Sequence, residues 1–87
     1  MAGITIYTTA TCPYCERAKA LLLQKNLKFT EIPVDNDSKL RRELSEMTGR
    51  ATVPQIYFGE LHVGGCDDLY DLHYDGKLDQ LLAEQAQ

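Results

Sequence analysis

Cys12 and Cys15 are separated by two residues and lie between a predicted strand and the start of a predicted helix. This placement constrains the fold more than any other feature of the sequence. Ile4 and Ile6 alternate with less apolar neighbours, which predicts a strand. Pro13 predicts a helix start, because proline at the first helical position lacks only an N–H group that would be unpaired there. Cys12 and Cys15 are therefore expected at the first turn of a helix that follows a strand.

The first turn of a helix stabilises an anion, because its N–H groups are unpaired and carry a partial positive charge. A thiolate at Cys12 would benefit from both effects, which makes this residue a candidate nucleophile near neutral pH. Cys15 follows three residues later on the same helical face, close enough for a disulfide with Cys12 and less exposed. The pair is therefore interpreted as a redox site.

Zinc binding is the main alternative for such a pair. A structural zinc site needs four ligands, and the further candidates are His62, Cys66 and His73. The sequence contains no second Cys-x-x-Cys and no pair of histidines at the usual spacing. The ligand count favours the redox interpretation, and no metal ligand is predicted.

Length and charge limit the remaining classes of protein. A chain of 87 residues has room for one domain, so residues 1–87 are expected to form a single domain. No apolar run approaches the ~20 residues of a membrane span, and the N-terminus lacks the features of a secretory signal. A net charge of −4 does not supply a basic surface for nucleic acid. We expect a cytoplasmic monomer that binds neither nucleic acid nor a membrane.

Apolar periodicity and turn residues divide the rest of the chain into further elements. In chain order these are a strand over residues 29–34, a helix that ends at Gly49, two strands over residues 53–58 and 61–63 joined by a hairpin turn, and a helical region from Asp67 or Asp68 that Gly76 interrupts. The order β-α-β-α-β-β-α combines a parallel crossover with an antiparallel hairpin. The predicted fold class is α/β, with a four-stranded mixed sheet flanked by helices.

Two further motifs each have two interpretations. Residues 52–54 read Thr-Val-Pro, and a proline at the start of a strand is tolerated as a plain turn residue. Residues 64–68 read Gly-Gly-Cys-Asp-Asp. They are either a flexible break followed by an aspartate that caps a helix, or a glycine-containing backbone at a helix N-terminus whose N–H groups bind a carboxylate. The residues alone leave both questions open.

Taken together, these motifs resemble one family. The chain is similar to the small dithiol glutaredoxins of bacteria in Cys12-Pro13-Tyr14-Cys15, in Thr52-Val53-Pro54 and in Gly64-Gly65-Cys66-Asp67-Asp68-Leu69, and the resemblance spans about residues 4–82. It implies a minimal thioredoxin fold in which Cys12 is the nucleophile and Cys15 is the resolving thiol.

The resemblance also implies a groove for glutathione, a cosubstrate, with no permanently bound cofactor. Pro54 would be cis and would place the Val53 backbone where it pairs with the cysteinyl backbone of glutathione. Gly65, Cys66 and Asp67 would hold the γ-glutamyl end, with N–H groups for its carboxylate and the Asp67 carboxylate for its ammonium. The implied glutathione-binding residues are Tyr14, Arg50, Thr52, Val53, Pro54, Gly65, Cys66 and Asp67.

One position departs from the family pattern. Members often carry a lysine three residues before the nucleophile, where this chain has Thr9. That lysine would supply positive charge near the glycyl carboxylate of glutathione and near the Cys12 thiolate. Arg50 matches a polar position at that end of the groove, and we expect it to replace the missing charge in part.

The implied activity is glutathione-dependent thiol–disulfide exchange. Cys12 alone would reduce glutathione mixed disulfides, and Cys12 with Cys15 would reduce the disulfides of client proteins, so that the protein serves as an electron donor to redox enzymes. Two alternatives stay open: reduction by thioredoxin reductase, and carriage of an iron–sulfur cluster bridged between two subunits by Cys12 and glutathione. Residues 64–68 favour glutathione over the reductase, and the intact cysteine pair with Pro13 disfavours the cluster.

Overall fold

A computed structural model describes residues 3–85 of the chain. The elements are β1 (Ile4–Thr8), α1 (Pro13–Gln24), β2 (Phe29–Pro33), α2 (Ser38–Thr48), β3 (Gln55–Phe58), β4 (Leu61–Gly64), α3 (Cys66–Tyr74) and α4 (Leu78–Gln85). This order confirms the predicted one. The final helical region is divided into α3 and α4, and Gly76 in the turn between them has a φ of 73°, which glycine adopts without a steric penalty.

The four strands form one mixed sheet in the order β2-β1-β3-β4. β1 pairs parallel with β2, as expected for a β-α-β unit, and antiparallel with β3. β3 in turn pairs antiparallel with β4, which confirms the predicted hairpin. The minimal thioredoxin fold that the resemblance implied is therefore the fold of this chain.

One hydrophobic core joins the sheet to α1, α3 and α4. Its buried members come from the two central strands and from these three helices: Ile4, Ile6, Ala18, Leu21, Leu22, Ile56, Phe58, Cys66, Leu69 and Leu78. Burial alternates along β1, so Ile4 and Ile6 face this core as the sequence pattern predicts. The same packing holds the first turns of α1 and α3, which carry the cysteine and glycine motifs, against the sheet.

Local signals set most of the helix ends. The Asp37 carboxylate accepts a hydrogen bond of 3.0 Å from the backbone N–H of Leu40 and thereby caps α2. Gly49 ends the same helix in the left-handed conformation, with a φ of 71°. Asn26, just beyond the end of α1, has a φ of 59°, a conformation that asparagine tolerates better than most residues.

Four boundaries differ from the predicted ones by one or two residues. β2 ends at Pro33 rather than at residue 34, and β4 ends at Gly64 rather than at residue 63. β3 begins at Gln55 rather than at Val53, because Pro54 has no N–H group to donate to the sheet. α3 begins at Cys66, one or two residues before the predicted start at Asp67 or Asp68, because Gly65 takes the position of the N-cap. Among residues 3–85, none of the helices is both long and apolar enough to cross a membrane.

Candidate active site

The sheet topology brings three motifs to the same edge. β1 and β3 are antiparallel, so the end of β1 lies beside the start of β3, with Tyr7 opposite Gln55. β3 and β4 are antiparallel as well, which places Gly64 at the end of β4 opposite Ile56. The cysteine motif that follows β1, the proline that precedes β3 and the glycines that end β4 therefore meet.

The two cysteines differ in their access to solvent. Cys12 is the N-cap residue of α1, and its sulfur accepts a hydrogen bond of 3.1 Å from the backbone N–H of Cys15. The exposed fraction is 9% for Cys12 and 0% for Cys15. Both are free thiols. Cys12 is therefore the member of the pair that a disulfide partner can reach. The sequence likewise predicted Cys15 to be the less exposed cysteine.

A cis peptide bond lies beside Cys12. The Val53–Pro54 bond is cis, which confirms the expectation drawn from the family resemblance. The Cys12 thiol donates to the Val53 carbonyl, with 3.8 Å between the sulfur and the oxygen. The backbone of Val53 is thus within reach of any group bound to the Cys12 sulfur.

Burial controls the ionisation of Cys15. It raises the pKa of this thiol to about 12, and the hydrogen bond with Cys12 acts in the same direction. The backbone amide of Thr9 and the ammonium of Lys19 oppose the rise. Cys15 is therefore almost fully protonated at neutral pH.

A groove runs beside Cys12 between the Pro54 segment and the first turn of α3. It encloses a cavity of about 230 Å³. Its lining consists of Tyr14, Arg50, Thr52, Val53, Pro54, Gly65, Cys66, Asp67 and Asp68. The structure thus brings together every residue that the family resemblance implied for glutathione and adds Asp68.

Asp68 is the residue that the sequence interpretation missed. Its Oδ2 atom accepts a hydrogen bond of 2.8 Å from the Gly65 backbone N–H and forms an ion pair of 2.7 Å with Nη1 of Arg50. Arg50, and then the Gly65 amide, hold the pKa of the Asp68 carboxyl below its usual value. An acidic residue three positions after a helix N-cap is a known capping pattern, and this spacing could have indicated the contact with Gly65.

A close contact requires glycine at position 64. Gly64 has a φ of 124°, and a Cβ atom at that position would collide with the carboxylate of Asp68. A Cβ atom on Gly65 would lie 3.4 Å from the carbonyl oxygen of Pro54, an ordinary van der Waals distance. Gly64 therefore lets the end of β4 lie against Asp68.

The other residues of the groove differ in exposure. Cys66 is buried, with 4% of its surface exposed, and burial raises the pKa of its thiol. Asp67 beside it is exposed, as is Tyr14, at 56%. The groove therefore offers a carboxylate and an aromatic ring to solvent, while its third cysteine is enclosed.

The histidines do not gather around the cysteine pair. His62 lies 2.7 Å from Gln55, measured from Nε2 to Oε1, and burial lowers the pKa of its imidazole. In the part of the chain that the structure describes, no three His, Cys, Asp or Glu side chains are arranged to hold a metal ion. The structure therefore gives no support to the zinc alternative.

Together these features define a dithiol redox protein of the thioredoxin fold: a Cys-x-x-Cys pair at the start of a helix, facing a cis proline across the edge of a mixed sheet. A family model described as glutaredoxin matches residues 4–63. The chain belongs to the glutaredoxin family, and as such it is a thiol–disulfide oxidoreductase.

Individual relatives agree with this assignment. The chain is 54% identical over 82 residues to glutaredoxin 3 of Escherichia coli (strain K12), covering 94% of this chain and 99% of that protein. It is 57% identical over 83 residues to a glutaredoxin of Pseudomonas aeruginosa, covering 95% and 99%. A buckwheat glutaredoxin–glutathione complex has a similar structure, with a TM-score of 0.89 at 33% identity, covering 98% of this chain and 80% of that chain.

Proposed function

We propose that this glutaredoxin takes its electrons from glutathione, reducing glutathione mixed disulfides through Cys12 alone and protein disulfides through Cys12 and Cys15. The observation that carries the proposal is the groove beside Cys12, where the residues implied for glutathione line a single cavity. The solved buckwheat relative is a complex with glutathione, which supports the same ligand here.

The route through Cys12 alone consists of two exchanges. The Cys12 thiolate attacks the glutathione sulfur of a mixed disulfide, and the substrate leaves as a thiol. A second glutathione then attacks the glutathione bound to Cys12, which releases oxidised glutathione and restores the Cys12 thiolate. The Cys15 N–H group, 3.1 Å from the Cys12 sulfur, stabilises that thiolate both before attack and on release.

The route through both cysteines begins with a mixed disulfide between Cys12 and a client protein. Cys15 attacks the Cys12 sulfur, the client leaves reduced, and two glutathione molecules reduce the resulting Cys12–Cys15 disulfide. Because the pKa of Cys15 is raised to about 12, only a small fraction of this thiol is ionised at neutral pH. This gives glutathione time to reach Cys12 first when the substrate is a glutathione mixed disulfide.

The backbone around the groove suits the two ends of the γ-glutamyl-cysteinyl unit. The Val53 carbonyl lies 3.8 Å from the Cys12 sulfur, so a cysteinyl residue paired with Val53 would present its own sulfur to Cys12. The N–H groups of Cys66 and Asp67, in the first turn of α3, have no acceptor within the helix and suit a carboxylate. Asp67 is exposed and would receive the ammonium group.

Arg50 would contribute at the glycyl end. One of its terminal nitrogens is bonded to Asp68, and a guanidinium group has five N–H donors. The donors that do not face Asp68 are available to a carboxylate. Asp68 thus holds Arg50 in place, which supports the expectation that Arg50 supplies charge where the family often has lysine and this chain has Thr9.

The proposal extends to the biological setting. The clients would be proteins that carry a disulfide or a bound glutathione, among them redox enzymes to which this protein delivers electrons. We expect it to act in the cytoplasm as a monomer. Light scattering at working concentration, with and without glutathione, tests the oligomeric state.

Turnover with glutathione, glutathione reductase and a small glutathione mixed disulfide tests the cosubstrate. Asp67→Ala should raise the KM for the mixed disulfide about tenfold, the effect of losing one charged hydrogen bond of ~1.5 kcal/mol. Asp71→Ala, an exposed aspartate on the same helix and outside the groove, should match the wild type. Turnover of the wild type with thioredoxin reductase but not with glutathione would refute the proposal.

A further inference from the structure

A second polar cluster surrounds Lys19 behind the cysteine pair. Lys19 lies one helical turn after Cys15 on α1, and residues four apart share a helix face. Its side chain is 19% exposed, and its Nζ atom is 2.9 Å from Oε1 of Glu16 and 3.1 Å from Oε2 of Glu31. The two carboxylates raise the pKa of Lys19, so its ammonium group stays charged.

The cluster is tied to the sheet. Glu31 on β2 accepts a hydrogen bond of 2.7 Å from the hydroxyl of Thr8, the last residue of β1, which is 1% exposed. The next residue, Thr9, directs its backbone amide to the Cys15 thiol. The ends of β1 and β2 and the first turns of α1 thus fix the ammonium group of Lys19 on the helix face that carries Cys15.

Few charges act on Cys15 itself. Cys12 disfavours its thiolate, whereas the Thr9 amide and the Lys19 ammonium favour it. Glu16 and Glu31 keep their charges while they pair with Lys19, and Asp35 accepts a hydrogen bond from the Ala10 amide. Among the groups of residues 3–85 that shift the pKa of Cys15, Lys19 is the one cationic side chain.

Solvent reaches this cluster without passing through the glutathione groove. A cavity of about 370 Å³ is lined by Thr8, Thr9, Ala10, Glu16, Lys19, Glu31, Pro33 and Asp35, none of which lines the groove. The Lys19 cluster is therefore open to solvent independently of the bound substrate.

We propose that Lys19 is a positioning residue for the resolving step: its ammonium group, fixed by Glu16 and Glu31, stabilises the Cys15 thiolate that attacks the Cys12 mixed disulfide. This inference rests on the proposed route through both cysteines. The Cys15 thiol gives its proton to water, and its sulfur forms a bond to the Cys12 sulfur as the bond between Cys12 and the client breaks. Cys15 is oxidised, and the client leaves as a reduced thiolate that takes a proton from solvent.

The expected effect on rate follows from two opposing changes. Each unit of increase in the pKa of Cys15 lowers its thiolate fraction about tenfold below that pKa. The thiolate that forms is more nucleophilic, by about threefold per unit. Loss of the Lys19 charge should therefore slow the resolving step about threefold for each unit by which the pKa rises.

The resolving step can be timed with 5,5′-dithiobis(2-nitrobenzoate) at one equivalent of the reduced protein. Attack by Cys12 releases a first coloured thiolate and leaves the second on Cys12, and attack by Cys15 then releases the second. The variants are Lys19→Gln, Lys19→Met and Lys19→Arg, with Cys15→Ser to assign the second phase. Lys25→Gln is the matched control, because Lys25 is also 19% exposed and forms a 2.9 Å ion pair, with Asp79, but lies at the far end of α1.

We expect Lys19→Gln and Lys19→Met to slow the second release about threefold or more and to shift its pH profile to higher pH. The rate of the first release should be unchanged in these variants. Lys19→Arg should keep the wild-type rate of the second release, and Lys25→Gln should match the wild type in both phases. The proposal is overturned if the second release keeps its wild-type rate in both neutral variants, or if both phases slow together. Glutathione is absent from this reaction, so the outcome is independent of whether glutathione is the physiological reductant.

Discussion

At the scale of single residues, Asp68 holds two groups from different parts of the chain with one carboxylate oxygen. The Gly65 amide and the Arg50 guanidinium both contact Oδ2, at 2.8 Å and 2.7 Å. Both contacts require the charged form of Asp68, which is why its pKa lies below the usual value. The carboxylate therefore shapes the α3 end of the groove through its Oδ2 atom.

The pH dependence of stability tests this role. A carboxyl group whose pKa is lower in the folded state stabilises that state at pH values above its unfolded pKa, about 3.9. The stabilisation is lost as the pH falls through the folded pKa. Asp68→Asn should therefore lower the free energy of unfolding near neutral pH by about 1 kcal/mol, as expected for a helix cap and an exposed ion pair.

Urea unfolding at several pH values provides the measurement. The difference in the free energy of unfolding between wild type and Asp68→Asn should become smaller as the pH falls below about 4. Asp75→Asn, an exposed aspartate at the other end of α3, serves as the control and should change stability little. A difference for Asp68→Asn that is constant from neutral to acidic pH would contradict the assignment.

At the scale of elements, short polar and glycine signals determine where helices begin and end. These signals act over three or four residues, so the sequence predicted the end of α2 at Gly49. The start of α3 was predicted one or two residues late, because Gly65 has no side chain that marks it as a cap. The carboxylate that completes this cap comes from Asp68 inside the helix.

The cap of α2 provides a prediction at this scale. Asp37→Ala removes the acceptor of the Leu40 N–H bond and should lower the free energy of unfolding by about 1 kcal/mol. Glu43→Ala, at an exposed position in the same helix, should be close to neutral. Urea unfolding of the two variants measures the difference, and equal stabilities would show that the cap contributes nothing.

At the scale of the whole molecule, the sheet order brings together motifs that are far apart in the sequence. The antiparallel pairings of β3 with β1 and with β4 place Cys12, Pro54 and Gly65 at one edge. Strand patterns and the family resemblance were sufficient to predict this arrangement. They did not predict the pairing of Arg50 with Asp68, because no local pattern links side chains that meet only after the sheet has formed.

The same reasoning applies to the Lys19 cluster. Lys19 and Glu31 are 12 residues apart, and Thr8 and Glu31 are 23 apart. The helical period alone puts Lys19 on the same face of α1 as Cys15, but its partner Glu31 on β2 depends on the parallel crossover. Burial holds Cys15 in its protonated form, and the Lys19 ammonium opposes that effect.

The division of roles between the two cysteines is the central claim, and parallel assays of wild type and Cys15→Ser test it most directly. Both proteins are given glutathione and glutathione reductase, with a small glutathione mixed disulfide in one assay and a protein disulfide in the other. We predict that Cys15→Ser retains turnover of the mixed disulfide and loses reduction of the protein disulfide, while Cys12→Ser loses both. Loss of both activities in Cys15→Ser, or retention of both, would contradict the account.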